Sequence, residues 1–523
     1  MKRTLQGAFV VVCFAGPLLL SGVARAQARG NWTVTGGDAE HHNWQQAETK
    51  IAKDTVSGEF KFLWKIQLGS QSSNSQSFRE PLLLPGIITG RGFKDMVLWG
   101  DSNTLYDVDS ELGTLVWQKH FESQSARAEG SCAASNIQIV MEAPRVIHFG
   151  AHHPTHVAHP VQPAPPTPAS ASRRIGVIPP SGYFGLKGVY VLTGDGYLHE
   201  QILATGLDYA PAVKFVPEPA VDPSALNITG NTIYAVTGDG CHKAAQAAWS
   251  IDLSTPAYAV NSYATQQAKM TGRMGPTIGP DGTVYVETGS GHADPSQKIY
   301  PNSVVALAAN TLKVQDWYAP SGKSKSLTAT PMVFAYNNKE LLVAPGKDGS
   351  LVLLDGTSLG GSDHHTPMAQ TDSISKRGVP ASFASWKDKD CAFWVLASIA
   401  GPVNRDVKFA STNGSAPHGS IVAFKVEEND GHVVLTPAWM SPDLTNPAPP
   451  AIANGVVFAL SGGNASTHAI LYALDAATGK QLYSSGDAVT TYTGLAGMSV
   501  GDAHVFFTTH DNTLYSFGIP IEH

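Results

Sequence analysis

A short β-hairpin that recurs along the chain constrains the fold of this sequence more than any other feature. Residues 470–483, ILYALDAATGKQLY, contain one complete copy: alternating apolar residues, a Thr-Gly turn and the start of a second strand. Such alternation predicts a strand with one buried face. Eight segments of this kind occur, centred on Tyr106, His199, Trp249, Val305, Val352, Val422, Tyr472 and Tyr515.

The spacing of these centres predicts a β-propeller. Neighbouring centres lie 43 to 56 residues apart, except for separations of 93 and 70 residues. This is the length of one four-stranded blade, and a single blade cannot bury both of its faces without neighbours. We therefore predict an all-β, eight-bladed ring. The alternative is a pair of stacked β-sandwich domains, which the regular spacing does not favour.

The two ends of the chain are expected to close the ring. The last centre, Tyr515, lies eight residues from the C-terminus, so its blade lacks an outer strand. Residues 60–68, FKFLWKIQL, have the character of such a strand, with Trp64 at the position of the outer-strand aromatic residues Trp117, Trp317, Trp439 and Tyr483. Pairing this N-terminal strand with the last blade would leave no open sheet edge.

Composition and targeting signals limit the remaining possibilities. The net charge of −7 gives no basic bias for nucleic acid. Lys2, Arg3, an apolar stretch and the cleavage-site pattern Ala-Arg-Ala at Ala24–Ala26 predict a signal peptide over 1–26, followed by one propeller over 27–523. No later stretch is apolar and long enough to cross a membrane. We expect a periplasmic or extracellular protein.

Two long separations and three cysteines complete the organisation of the chain. A Pro/His-rich insert at about 143–180 and residues 398–420 are predicted to be loops. The mature chain retains Cys132, Cys241 and Cys391, which are widely spaced and odd in number. Two arrangements are compatible with this pattern: one disulfide plus one free thiol, or three buried thiols.

The hairpins with LDAATGK, the Trp-bearing fourth strands and the start of the mature chain resemble the repeats of pyrroloquinoline quinone (PQQ) propellers. The segment NWTVTGGDAEHHNWQQAETKI, followed by FKFLWKIQL, resembles the opening of quinoprotein dehydrogenases. The resemblance covers nearly all of the mature chain. It is greatest to an exported branch with a Pro-rich insert and a tail similar to DNTLYSFGIPIEH.

The resemblance implies PQQ on the ring axis beside a calcium ion, with a catalytic Asp. APGKDGSLVLLD places Lys347 where the family has a cofactor-contacting Lys, although an exposed turn Lys is the alternative. TGSG places Ser290 where the family has a metal-binding Asn, and a hydroxyl is a weaker ligand. Gln297 stands at the position of the catalytic Asp, which leaves Asp294 as a weak candidate base. No Cys-x-x-Cys-His haem motif occurs.

Three functions follow from the resemblance. The first is a degenerate quinoprotein that binds a small molecule or a protein on its loop-bearing face. The second is a PQQ-dependent alcohol or sugar dehydrogenase with altered calcium and base residues. The third is a scaffold of the outer-membrane assembly type. The replaced ligand and base positions favour the first, whereas Lys347 and the Gly-Gly-Asp segment support the second.

Overall fold

Eight antiparallel sheets form a closed ring in this protein. The structure is a computed structural model that describes residues 30–69, 79–89, 92–122, 137–141, 188–217, 224–238, 246–254, 257–265, 268–321, 327, 329–346, 349–380, 382–493 and 497–520. The first strands of neighbouring sheets contact one another around an axis, and the second strand of blade 1 contacts the first strand of blade 2. The predicted eight-bladed β-propeller is confirmed.

The first four blades follow in chain order. Blade 1 comprises Leu82–Thr89, Gly92–Gly100, Thr104–Asp109 and Leu115–His120. Blade 2 comprises Gln138–Met141, Val189–Leu192, Tyr197–Gln201 and Asp208–Lys214. Blade 3 comprises Asn227–Thr229, Thr232–Thr237, Ala247–Asp252 and Val260–Ala264. Blade 4 comprises Thr277–Ile278, Val284–Thr288, Val304–Leu307 and Val314–Tyr318, and Met270–Thr271 also pairs with its second strand.

The other four blades complete the ring. Blade 5 comprises Met332–Tyr336, Lys339–Pro345, Leu351–Asp355 and Ala369–Gln370. Blade 6 comprises Phe383–Lys387, Phe393–Ala400, Gly419–Asn429 and His432–Met440, with Ser411–Thr412 beside the last of these. Blade 7 comprises Ala451–Ala453, Val456–Ser461, Ile470–Asp475 and Gln481–Ser484, with Trp44–Gln45 beside the first. Blade 8 comprises Met498–Gly501, His504–Thr508, Thr513–Gly518 and Lys61–Gln67.

The sequence repeats correspond to one strand position in the blade. Each of the eight predicted centres lies in the third strand of its blade. In blade 6 the second strand extends to Ala400 and the third begins at Gly419, so the connection is 401–418, slightly shorter than the predicted loop 398–420. Because consecutive strands are antiparallel, the turns between second and third strands all lie at one end of the ring, which we call the mouth.

The N-terminal strand closes the ring as predicted. Lys61–Gln67 pairs antiparallel with Thr513–Gly518, and Trp64 stands opposite Ser516. The last blade therefore combines the two ends of the chain. This pairing covers the sheet edge that the third strand of blade 8 would otherwise present.

A tryptophan on the outer strand joins several blades to the next one. The indole N–H of Trp64, Trp117 and Trp439 donates to the carbonyl oxygen of Ser110, Leu203 and Ala476, respectively, each at 2.9 Å. Each ring packs on a glycine of the same turn: Gly113, Gly206 and Gly479, with φ of 65°, 67° and 69°. A side chain there would meet the indole, and positive φ favours glycine. Trp317 differs, since it stacks between Tyr300 and His364.

Several predictions concern residues outside the described part of the chain. These are the signal peptide at 1–26, the whole insert at about 143–180, Lys347, Cys132 and Cys241. Cys391 is disulfide-bonded. The described residues contain one α-helix, Lys53–Gly58, and none of their helices is long and apolar enough to span a membrane.

Candidate functional site

The axis of the ring is occupied by the segment 31–48, which we call the axial segment. It passes the blades in their chain order and forms a hydrogen bond with an innermost strand of each. Backbone amides of the blades donate to its carbonyl oxygens in the pairs Leu83–Trp32, Met141–Thr33, Ile278–Ala39, Val333–Glu40, Ser385–His42 and Ile452–Asn43. Side-chain amides provide the remaining two contacts, from Asn227 to the Ala39 carbonyl and from Gln45 to the Val500 carbonyl.

The axial segment carries a buried neutral histidine. His41 is fully buried, and its ring nitrogens lie 3.2 Å from the Thr277 hydroxyl and 3.5 Å from the Asn227 side-chain nitrogen. Burial lowers the pKa of His41 to about 4, although Asp38 opposes this effect. His41 therefore acts as a polar core residue at neutral pH, and it fixes the axial segment against blades 3 and 4.

The next histidine is charged and forms an ion pair. His42 Nδ1 lies 2.8 Å from Asp38 Oδ2, and both side chains are about one-fifth exposed. Burial opposes the charge on His42, but Asp38, and then Glu40, raise its pKa to about 9. Burial would raise the pKa of Asp38, yet His42 lowers it. Ligand atoms of Asp38, Glu40 and His42 lie within 4.8 Å of one another. A metal ion there would have to displace the His42 proton.

A small pocket opens beside the axial segment at the mouth. Glu80 lies two residues before the first strand of blade 1, and Trp99 lies near the end of its second strand, so both belong to this end of the ring. The pocket is lined by Thr35, Arg79, Glu80, Trp99, Gly100, Ile137, Gln138 and Ile139. It therefore joins blades 1 and 2 to the axial segment.

Glu80 is a buried carboxyl group with one oxygen in use. Its Oε1 accepts hydrogen bonds from the Trp32 indole N–H at 2.6 Å and the Gly36 amide at 2.8 Å. Its Oε2 is buried and has no partner among the described residues. Burial raises the pKa of Glu80 to about 8, although the bonds from Trp32 and Gly36 oppose this effect. At neutral pH the carboxyl is mostly protonated and is able to donate.

Two further donors border the same pocket. The indole nitrogen of Trp99 is buried and has no acceptor in the described structure. The buried Arg79 guanidinium lies over the Trp99 ring at 5.7 Å and donates to the Asn512 side chain at 2.7 Å. Burial lowers the pKa of Arg79, and Asp101 and Asp511 oppose this shift. The pocket thus presents an indole N–H, a carboxylic acid and a cation.

Three of the residues singled out by the family resemblance, Ser290, Asp294 and Gln297, lie at the mouth in blade 4. Ser290 and Gln297 are exposed. The carboxylate of Asp294 is hydrogen-bonded within its own turn. It accepts from the Ser296 hydroxyl at 2.6 Å, from the Gln297 side chain at 2.9 Å and from the backbone amides of both residues. Asp294 therefore caps the short helix Pro295–Gln297. These bonds, the one from the Ser296 hydroxyl first, lower its pKa.

The acidic side chain that this loop offers as a metal ligand or base, Asp294, is already engaged by its own turn. Among the described residues, Asp294 belongs to no group of three ligating side chains. Lys347 lies outside the described residues. Glu80 was not predicted as a site residue from the sequence, because a single Glu before an apolar strand is an ordinary pattern. The axial segment was not predicted either, and its Gly-Gly-Asp motif was its only signal in the sequence.

Comparisons with known proteins agree on the architecture. No family model and no curated protein matches the sequence. Among solved structures, quinohemoprotein alcohol dehydrogenases are similar to this chain. The one from Comamonas testosteroni has a TM-score of 0.55 and 14% identity, over 95% of this chain and 82% of that chain. The one from Pseudomonas putida HK5 has a TM-score of 0.57 and 13% identity, over 94% and 81%.

The fold is that of the quinoprotein dehydrogenases. A europium-containing methanol dehydrogenase is also similar, with a TM-score of 0.54 and 11% identity over 94% of this chain and 98% of that chain. At this identity the likeness concerns the quinoprotein-type propeller alone. The function must be argued from the residues of the site.

Proposed function

We propose that this protein is an exported quinoprotein-type propeller that binds a small molecule at its mouth without oxidising it. The ligand site is the pocket of Arg79, Glu80 and Trp99. The observation that supports this proposal most is the pair of buried polar atoms that border the pocket without partners, Glu80 Oε2 and Trp99 Nε1. Buried polar groups are normally hydrogen-bonded, so these two atoms indicate a missing partner.

The chemistry of the pocket favours a ligand with a carboxylate end group. Trp99 offers an N–H, protonated Glu80 an O–H and Arg79 a positive charge. Hydrogen bonds to an ionised acceptor are stronger than neutral ones, especially where water is excluded. A carboxylate group has two oxygen atoms that are able to accept from Trp99 Nε1 and from protonated Glu80. A single ordered water is the alternative occupant.

Alcohol oxidation is less well supported. It needs a base that takes the alcohol proton as hydride leaves and a cation that polarises the quinone. Asp294 is held by its own turn. Gln297 stands where the family has its catalytic Asp, and Ser290 stands where the family has its metal-binding Asn. We propose that PQQ, if it binds, does so on the axis near Lys347 and without productive calcium. Export to the periplasm or the medium follows from the predicted signal peptide.

The test uses the indole N–H resonance of Trp99. The full mature chain, labelled at its ten tryptophans, is titrated with acetate. Trp99→Phe assigns the resonance. We expect a saturable shift of the Trp99 N–H and none of the Trp439 N–H, which is already bonded to Ala476. Sodium chloride at equal ionic strength is the control.

Two outcomes would contradict the proposal. If acetate does not move the Trp99 resonance, the pocket holds only water. If the shift persists unchanged in Glu80→Ala and Arg79→Gln, the carboxylate binds elsewhere.

A further inference from the structure

A second buried carboxyl group lies at the interface of blades 4 and 5. Glu287, on the second strand of blade 4, is 1% exposed, and neither carboxylate oxygen has a hydrogen-bond partner in the described structure. It stands opposite Val304, which belongs with Tyr285 to the apolar cluster between these two blades. Cross-strand partners share one face of a sheet, so Glu287 faces blade 5. Burial raises the pKa of this carboxyl well above its usual range.

Two hydroxyl groups near Glu287 are orphaned as well. Thr271 is the cross-strand partner of Glu287 on the other side of the same strand, and its hydroxyl is buried without a partner. Thr330, in the loop that leads into blade 5, is 2% exposed and its hydroxyl is also unpartnered. This hydroxyl would lie 3.3 Å from a Cβ atom placed on Gly272, the residue after Thr271. Four buried oxygen atoms thus lie in one region without partners.

We propose that Glu287, Thr271 and Thr330 bind a monovalent cation between them at the interface of blades 4 and 5, a position that we call the slot. Hard cations bind to oxygen ligands, and the three side chains supply only oxygen. None of the three is hydrogen-bonded to another, so an interposed atom is needed to satisfy them.

The single carboxylate of the slot favours a monovalent ion over a divalent one. One carboxylate with one monovalent ion is neutral, whereas a divalent ion would leave a buried positive charge, which is costly. Binding exchanges the carboxyl proton for the ion, so the net charge of the slot does not change. The site is independent of the Glu80 pocket, which lies on blades 1 and 2.

The test compares thermal unfolding of the full mature chain in sodium chloride and in choline chloride at equal ionic strength. We expect a saturable rise in Tm of about 1–3 °C in sodium for the wild type. Glu287→Gln should abolish it, and Thr271→Val should shift it to higher sodium concentration. Glu340→Gln is the matched control, because Glu340 lies at the same interface and is already bonded to the Tyr285 hydroxyl at 2.6 Å; its sodium response should persist.

A crystal soaked in thallium(I) gives an independent readout that does not depend on variant stability. An anomalous peak among Glu287, Thr271 and Thr330 is the expected result. Equal Tm values in sodium and choline, together with no peak, would show that the slot holds water and would overturn the proposal. A sodium response that survives in Glu287→Gln would place the ion elsewhere and would also overturn it.

Discussion

At the scale of single residues, Glu80 couples the mouth pocket to pH. Its pKa of about 8 in the folded chain lies above the ordinary value of 4.5. The native state therefore retains a proton that the unfolded state loses between these values, and the free energy of unfolding falls as the pH rises. We expect Glu80→Gln to remove a slope of up to about 1.4 kcal/mol per pH unit between pH 5 and 8. Denaturant unfolding at several pH values checks this, and a pH-independent difference from the wild type would contradict it.

The two axial histidines should respond to pH in opposite directions. The folded pKa of His42, about 9, lies above 6.5, so its stabilisation is present below pH 6.5 and is lost as the pH rises through 9. The folded pKa of His41, about 4, lies below 6.5, so it costs stability as the pH falls from 6.5 to 4. We expect His42→Gln to destabilise most at pH 6 and least at pH 9, and the cost of His41→Gln to shrink towards pH 4. Parallel pH profiles of the two variants would contradict this assignment.

Residue-level features were the hardest to predict from the sequence. Glu80, Glu287 and His41 acquire their properties from burial by distant blades, and no local pattern encodes that burial. Asp294 shows the converse: its sequence position suggested a substitute base, whereas short-range hydrogen bonds within Asp294–Gln297 hold it as a cap.

At the scale of the blade, the contact between a tryptophan and a glycine joins neighbours. An added Cβ on Gly479, in the turn between the third and fourth strands of blade 7, would lie 2.4 Å from the Trp439 ring. On Gly431, in the corresponding turn of blade 6 and with a similar φ of 78°, it would meet nothing within 4 Å. We expect Gly431→Ala to cost about 1–2 kcal/mol through backbone strain alone. Gly479→Ala should cost about 1–3 kcal/mol more, because the buried indole must move. Equal costs in chemical denaturation would contradict a role of this contact.

A second prediction at this scale concerns the closing strand, Lys61–Gln67. Replacing residues 60–68 by a Gly/Ser linker of the same length should expose the edge of Thr513–Gly518 and remove the Trp64 contact to blade 1. We expect a lower unfolding temperature and aggregation before unfolding is complete. Light scattering during a thermal scan measures this. A variant as soluble and as stable as the wild type would show that the closure is dispensable.

At the scale of the whole molecule, the sequence predicted the ring well and its axis poorly. The eight hairpins and Trp64 identify the blades and their closure, because alternation and turns are local signals. The axial segment makes about one hydrogen bond with each blade, between residues as distant as Gln45 and Val500. Such contacts leave no periodicity in the sequence, so the resemblance of the Gly-Gly-Asp motif was the only available indication.

The measurement that tests the central claim most directly is dye reduction by the purified full chain with PQQ, calcium and a series of alcohols. We predict no turnover above the blank, because Asp294 is held as a cap and Gln297 cannot accept a proton, and loss of general-base chemistry alone typically costs ~10²–10⁴-fold in rate. Steady dye reduction that disappears in Lys347→Ala would contradict the binding function and establish a dehydrogenase.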